Sequence, residues 1–149
     1  MPLGARMIWA SFTIGDEQFC QDVSSVREVF TYTEPTPVPG ACSEIIGVHN
    51  FRGYIITIID VRTAFHLPSK EPDEETRIIA LEHENEVYGF VVDTIETTTS
   101  FEKDEIYRGS GEEEYILGTI HQEDSELMIV VDLHVLLGMI KQKQVPMLA

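Results

Sequence analysis

Pro35-Thr36-Pro37-Val38-Pro39-Gly40, followed by Ile45-Ile46-Gly47-Val48-His49-Asn50-Phe51-Arg52-Gly53 and Tyr54-Ile55-Ile56-Thr57-Ile58-Ile59-Asp60, is the run that decides the fold. The alternate prolines fix φ and remove backbone donors, so the leading segment reads as a stiff polyproline-like loop. The two apolar runs behind it read as strands joined by the tight turn Asn50-Phe51-Arg52-Gly53. Asparagine suits the first position of a type I turn and glycine the fourth. That turn displays one cation at its tip. Asp60 then stands where a helix N-cap belongs, ahead of Val61, Ala64, Phe65 and Leu67, and Pro68 stops the helix.

Outward from this hairpin the dominant period is two. Ile8, Ala10, Phe12 and Ile14 alternate with Trp9, Ser11 and Thr13, as in a half-buried strand. Gly15-Asp16-Glu17 is a turn, and the chain from Phe19 to about Tyr32 continues extended with a local irregularity. Val23, Val26 and Phe30 also fit one face of a helix, but the β-branched and serine neighbours favour a strand. Ser69 to Glu75 is polar and holds a proline, so it reads as a linker. Beyond it, Ile78–His83 is a strand, Glu84-Asn85-Glu86 a turn, and Val87–Asp93 a strand running on towards Thr99, with Asp93 at a strand end or bulge. Gly109 to Glu114 is an acidic loop. Tyr115–His121 and Leu127–Val131 form a hairpin around Gln122–Glu126, and Asp132 caps a helix holding Leu133, Leu136, Leu137 and Ile140.

The two halves form a weak internal repeat. Gly47, a hairpin, Ile58-Ile59-Asp60-Val61 and Phe65 parallel Gly118, a hairpin, Val130-Val131-Asp132-Leu133 and Leu137. Ile8 to Val29 likewise parallels Ile78 to Ile95. The economical reading is two similar β units, each a barrel of about five strands closed by a short helix, since closure removes exposed edges. The expected organisation is one domain over 7–140, with a first unit at roughly 16–68, a linker at 69–76 and a second unit at roughly 77–140. The N-terminal strand is open to sharing between the units, and 141–149 is a tail.

Composition narrows the partners. In 149 residues, 26 acidic side chains face 10 basic ones for a net charge of −16. Nucleic-acid backbones and anionic membranes repel such a surface; solubility or a partner with basic patches explains it. A hydrophobic content of 43% supplies a core. The first residues lack the apolar stretch of a secretion signal, and no apolar run nears the ~20 residues that span a bilayer. A cytoplasmic protein is expected, with Cys20 and Cys42 reduced and acting as small hydrophobes.

Catalytic or metal chemistry finds little support. His49, His66, His83, His121 and His134 show no helical pairing and no nearby cysteine, so no metal site is expected, and no cofactor. Phosphate-loop, dinucleotide and nucleophile-elbow patterns are missing. Asp60 and Asp132 occupy equivalent places in the repeat and read as helix caps rather than catalytic carboxylates. Arg52 reads either as a solvated surface arginine or as an anchor that forks onto a partner's carboxylate or carbonyl.

Several segments, in order and spacing, carry a resemblance. They are Phe12 to Phe19, Val23 to Val29, Pro37-Val38-Pro39-Gly40-Ala41, Gly47 to Gly53, Ile58 to Arg62, Gly89 to Asp93, and Ile116-Leu117-Gly118. From about Met7 to Ile140 the chain resembles the CheW family, scaffold proteins of bacterial chemotaxis. The resemblance implies an all-β fold with short helices: two SH3-like five-stranded barrels side by side and a C-terminal helix. It implies a non-enzymatic adaptor coupling methyl-accepting chemoreceptors to the CheA histidine kinase, recruited to membrane-associated arrays. It also implies binding to the kinase's regulatory domain and rings of adaptor with kinase or with itself. Arg52, Val26, Glu28, Gly47, Ile78, Ile79 and Thr98 match the receptor-facing positions; Pro37, Val38 and Pro39 are the kinase-facing candidates. The other readings are an adaptor of the same fold in a non-flagellar pathway such as twitching motility, and a small β-barrel ligand-binding module.

Overall fold

The computed structural model describes residues 7–109, 113–121 and 127–148; residues 110–112 of the expected acidic loop and the expected turn at 122–126 lie outside them. The period-two stretches become strands β1 (Met7–Ile14), β2 (Glu17–Asp22), β3 (Val26–Thr31), β4 (Ile45–Phe51) and β5 (Tyr54–Asp60). A short helix α1 (Val61–Ala64) leads to β6 (Arg77–His83), β7 (Glu86–Val92) and β8 (Thr94–Phe101), then β9 (Ile116–His121), β10 (Leu127–Val131) and helix α2 (Leu133–Leu148). The irregularity expected after β2 is a single 3-10 turn at Val23–Ser25, capped by the Asp22 carboxylate, which accepts from the Ser24 N–H.

The strands form the two expected five-stranded units, ordered β8-β1-β2-β10-β9 and β3-β6-β7-β5-β4. The units are not divided at 69–76. Hairpin β1–β2 lies in one sheet with β8, β9 and β10, while β6–β7 lies with β3, β4 and β5. The repeat explains this. Each half supplies the same parts, and each places its first hairpin in the other half's sheet. The exchange is sealed by two matching parallel pairings, β2 with β10 and β7 with β5. Equivalent parts also make equivalent bonds: Thr36 pairs with Val48 and Tyr107 with Thr119, while Asp60 N–H donates to Glu44 O at 2.9 Å and Asp132 N–H to Tyr115 O at 2.8 Å.

Exchange gives the molecule three apolar clusters. Trp9, Cys20, Phe101 and Val130 fill one sheet's own core, and Ile56, Ile58 and Ile78 fill the other's. Between the sheets, Phe12, Phe19, Ile59, Ile79, Phe90, Leu133, Leu136, Leu137 and Ile140 form a shared core. Strands sandwiched in this way are apolar on both faces, which is why Ile78-Ile79-Ala80-Leu81 does not alternate. The expected tail from 141 is instead the continuation of α2, which runs to Leu148. Lys143 on that extension pairs with Glu44, a buried carboxylate just before β4.

Asp60 and Asp132 are caps, as expected. The Asp60 carboxylate accepts from Arg62 N–H at 3.1 Å and from the Thr63 hydroxyl at 2.9 Å. That of Asp132 accepts from His134 N–H at 2.9 Å.

Candidate functional site

The β4–β5 turn is tighter than the sequence reading had it. Phe51 pairs with Tyr54, leaving Arg52 and Gly53 as the central residues, with φ of +53° and +87°. Positive φ at both central positions marks the primed hairpin turn, whose twist matches that of the strands; a type I turn would splay them. Gly53 adopts this conformation freely, but Arg52 adopts it at a cost. The Asn50 side chain caps the turn by accepting from Gly53 N–H at 3.1 Å.

Arg52 is held in place. Its guanidinium lies 4.8 Å over the Phe51 ring, and Phe51 stacks on Phe30 at 4.7 Å. Nη1 reaches Glu28 Oε1 at 3.3 Å, while the arginine side chain remains 72% exposed. Two stacked rings from β3 and β4 thus hold up a cation that solvent and a partner can reach. Beside it lies a shallow depression of about 100 Å³, bordered by Arg27, Glu28, Phe51, Arg52, Tyr54 and Val87. Tyr54 and Ile55, both well exposed, extend an apolar surface from the tip. Arg27 joins this face by pairing with Glu82 at 2.9 Å and lying 5.9 Å over the Tyr54 ring. Sequence reasoning missed Arg27 and Tyr54. For Tyr54 the signal was two apolar residues, Tyr54-Ile55, straight after the turn with no alternation; Arg27 is placed by its tertiary contacts with Glu82 and Tyr54.

The other predicted residues separate. Arg52 and Glu28 come together. Val26 lies across a β-bulge from Glu28 and packs against the shared core. Thr98 is exposed on β8, in the other sheet, opposite Ala10. Ile78 and Ile79 are 0% and 1% exposed. They point to opposite faces of β6 into two different cores, so they support the surface from beneath. Gly47 is a spacer: a Cβ there would sit 2.3 Å from the Thr36 carbonyl oxygen. Its smallness lets the proline segment lie against β4 through reciprocal Thr36–Val48 bonds of 2.8 and 2.9 Å. Pro37, Val38 and Pro39 are exposed on the outside of that segment.

The remaining candidates for chemistry are otherwise engaged. Burial pushes the Cys20 thiol up to about 12, which makes it inert as a nucleophile. Among the described residues, no three histidine, cysteine or acidic side chains gather as a metal cage, and no helix is long and apolar enough to cross a membrane.

Comparison with known proteins supports the same fold. The family model for the CheW-like domain matches residues 9–141. The chain is 31% identical to the chemotaxis protein CheW of Klebsiella aerogenes over 85% of this chain and 79% of that one. It is 34% identical to the CheW of Rhizobium meliloti over 62% of this chain and 59% of the relative, and 32% identical to that of Bacillus subtilis over 69% and 65%. The matched region thus spans about three-fifths of those last two relatives. A solved structure, the scaffolding protein TtCheW from Thermoanaerobacter tengcongensis, superposes with a TM-score of 0.79 at 24% identity, covering 88% of this chain and 92% of that one.

Proposed function

The chain belongs to the CheW-like domain family, and on that premise we propose that it is a non-enzymatic adaptor joining chemoreceptor tips to a CheA-type histidine kinase in a chemosensory array. The observation that carries this reading is the Arg52 tip. It is a cation on a strained turn, stacked on Phe51 and presented beside a shallow apolar depression. A receptor tip is a helical hairpin, and a helix docks with residues of one face against an apolar surface. Arg52 fixes its register by forking onto a carboxylate or a helix-end carbonyl. Glu28 keeps the guanidinium aimed in the free protein. Such an adaptor transmits a signal only if its contacts differ between receptor states. The exposed Pro37-Val38-Pro39 ridge serves as the kinase-facing element, recruiting the regulatory domain while the protein itself is held at the array through its partners.

Co-sedimentation with receptor-containing membranes, and pulldown with the regulatory domains of the host's CheA-like kinases, test this. The wild type is expected in the membrane pellet with receptor and to capture at least one kinase domain. Failure to bind any such domain overturns the adaptor reading; normal co-sedimentation of Arg52→Glu overturns the role of Arg52.

A further inference from the structure

Arg27 is the extra residue of a bulge on β3. Val26 pairs with Leu81 and Glu28 with Ala80 on β6, so Arg27 has no opposite number in the ladder. Neighbours on a regular strand point to opposite faces. Here Arg27 and Glu28 border the same depression, the re-aiming of a side chain that a bulge produces. The bulge thereby brings a second arginine to the face that carries Arg52.

The two arginines are mounted alike. Phe51 and Tyr54 are the cross-strand pair that flanks the β4–β5 turn, and paired side chains lie on one face. Arg52 lies 4.8 Å over the Phe51 ring, and Arg27 lies 5.9 Å over the Tyr54 ring. Each guanidinium meets a glutamate through Nη1, Arg52 with Glu28 at 3.3 Å and Arg27 with Glu82 at 2.9 Å. A guanidinium has five N–H donors, so each keeps donors for a second carboxylate. The depression that both border is lined by Ile56, Ala80 and Val87 and holds about 100 Å³. One water needs only ~10–15 Å³, so there is room for an aliphatic side chain.

Charge sets this face apart. The chain has 10 basic residues against 26 acidic ones, and Arg62, Lys141 and Lys143 are taken up by Asp93, Glu84 and Glu44. Glu28 and Glu82 offset the charges of the two arginines. The face therefore offers directional donors at short range rather than a long-range field, which is how polar groups give specificity to an interface.

We propose that this face takes an acidic amphipathic helix, with Arg27 as a second anchor beside Arg52. The inference rests on the receptor-adaptor reading above, and the helix belongs to the receptor tip. One aliphatic side chain of the helix enters the depression, and carboxylates on either side of it fork onto Arg27 and Arg52. A single anchor fixes the register of a helix; two fix its direction as well.

Quantitative co-sedimentation of the full chain with receptor-containing membranes tests this. Arg27→Gln keeps the length and polarity of the side chain and removes the charge. It is expected to weaken receptor binding about tenfold, the loss of one charge-assisted bond, with the urea midpoint nearly unchanged because the pair with Glu82 is exposed. Arg27→Gln combined with Arg52→Gln is expected to weaken binding about a hundredfold, since the two arginines serve separate carboxylates. Receptor whose docking-face glutamates and aspartates are changed to their amides should bind more weakly and become indifferent to Arg27→Gln. Wild-type affinity in Arg27→Gln overturns the second anchor and leaves the adaptor reading standing, as does a double variant no weaker than Arg52→Gln alone. Absence of binding by the wild type overturns both. In sedimentation velocity the wild type is expected as a monomer; a dimer that Arg27→Gln dissolves gives the face to a second copy and overturns the receptor helix as its occupant.

Discussion

Arg62 grips Asp93 with two prongs, Nε to Oδ1 at 3.0 Å and Nη2 to Oδ2 at 2.6 Å. The same carboxylate accepts from Gly15 N–H at 2.7 Å, and Asp93 N–H donates to Thr13 O at 3.0 Å. The pair therefore fastens the helix after β5 to the β1–β2 turn of the opposite sheet, at the crossing from β7 to β8. Arg62 Nη1 also reaches the Pro68 carbonyl at 2.8 Å, which ties down the start of the linker. Burial alone would raise the Asp93 carboxyl, but the Arg62 guanidinium and Gly15 N–H outweigh it and hold it below its usual range.

Breaking this pair from one side leaves a charge in a site only 12% exposed. Arg62→Leu is expected to lower stability by about 3 kcal/mol, and adding Asp93→Leu should recover much of that. The depressed carboxyl sets the sign with pH. Its contribution is present above the ordinary aspartate value of about 3.9 and is lost as pH falls through the lower folded value. Urea midpoints at neutral and acid pH check this: the gap between wild type and Arg62→Leu should shrink in acid.

Gly47→Ala should cost about 2 kcal/mol, because the clash is with the backbone of a segment paired in both directions. Gly138 within α2 has nothing within 4 Å of an added Cβ. Gly138→Ala is therefore expected to stabilise the protein by roughly 0.5–1 kcal/mol through helix propensity. Thermal unfolding of the two variants should move in opposite directions.

Arg52→Glu removes an exposed guanidinium and faces Glu28 with a like charge. Urea midpoint and far-UV circular dichroism should match the wild type, while receptor co-sedimentation is lost. Ile78→Ala is the contrast. It empties part of a core and should cost about 2–4 kcal/mol, with receptor binding per folded molecule retained.

Lys143→Ala strands the buried Glu44 carboxylate. Burial raises this carboxyl, and the Lys143 ammonium, with the backbone N–H of Glu44, brings it below its usual range. The lysine end is half exposed and screened, so the expected cost at neutral pH is roughly 1 kcal/mol. Because the Glu44 value is depressed, that contribution is lost as pH falls through it. Wild type and Lys143→Ala should therefore converge in acid in a pH series of urea midpoints.

Much of the fold was legible in the sequence. The strand character of Ile8 to Ile14, the prolines ahead of Ile45, and the aspartates before Val61 and Leu133 are local signals, fixed by backbone sterics and side-chain caps; the alternation did not give the buried face throughout, because a bulge between Ala10 and Phe12 leaves Ile8 exposed and Trp9 buried. The repeat was legible as well, down to the pairing of Gly47 with Gly118, which make matching close approaches to Thr36 and Tyr107. Of the candidate surface, Arg52 was legible because turn chemistry placed it at a tip. Ile78 and Ile79 were misplaced as surface residues because an unbroken apolar run does not say which of its residues meets solvent.

Strands and caps follow from residues within a few positions of one another, and the twofold repetition from comparing one half of the sequence with the other. Which strands share a sheet is settled by tertiary pairing. Hairpins β1–β2 and β6–β7 are near equivalents, so local pattern cannot assign one to a particular sheet. The choice rests on non-local parallel pairings and on a shared core that forms only when both halves are present. The same holds for Glu28 beneath Arg52, Arg62 on Asp93 and His83 against His134. Each joins residues far apart in the chain; the exchange of hairpins brings Asp93 to Arg62 and His83 to His134, while Glu28 and Arg52 meet within one sheet, where Phe30 of β3 stacks on Phe51 of β4.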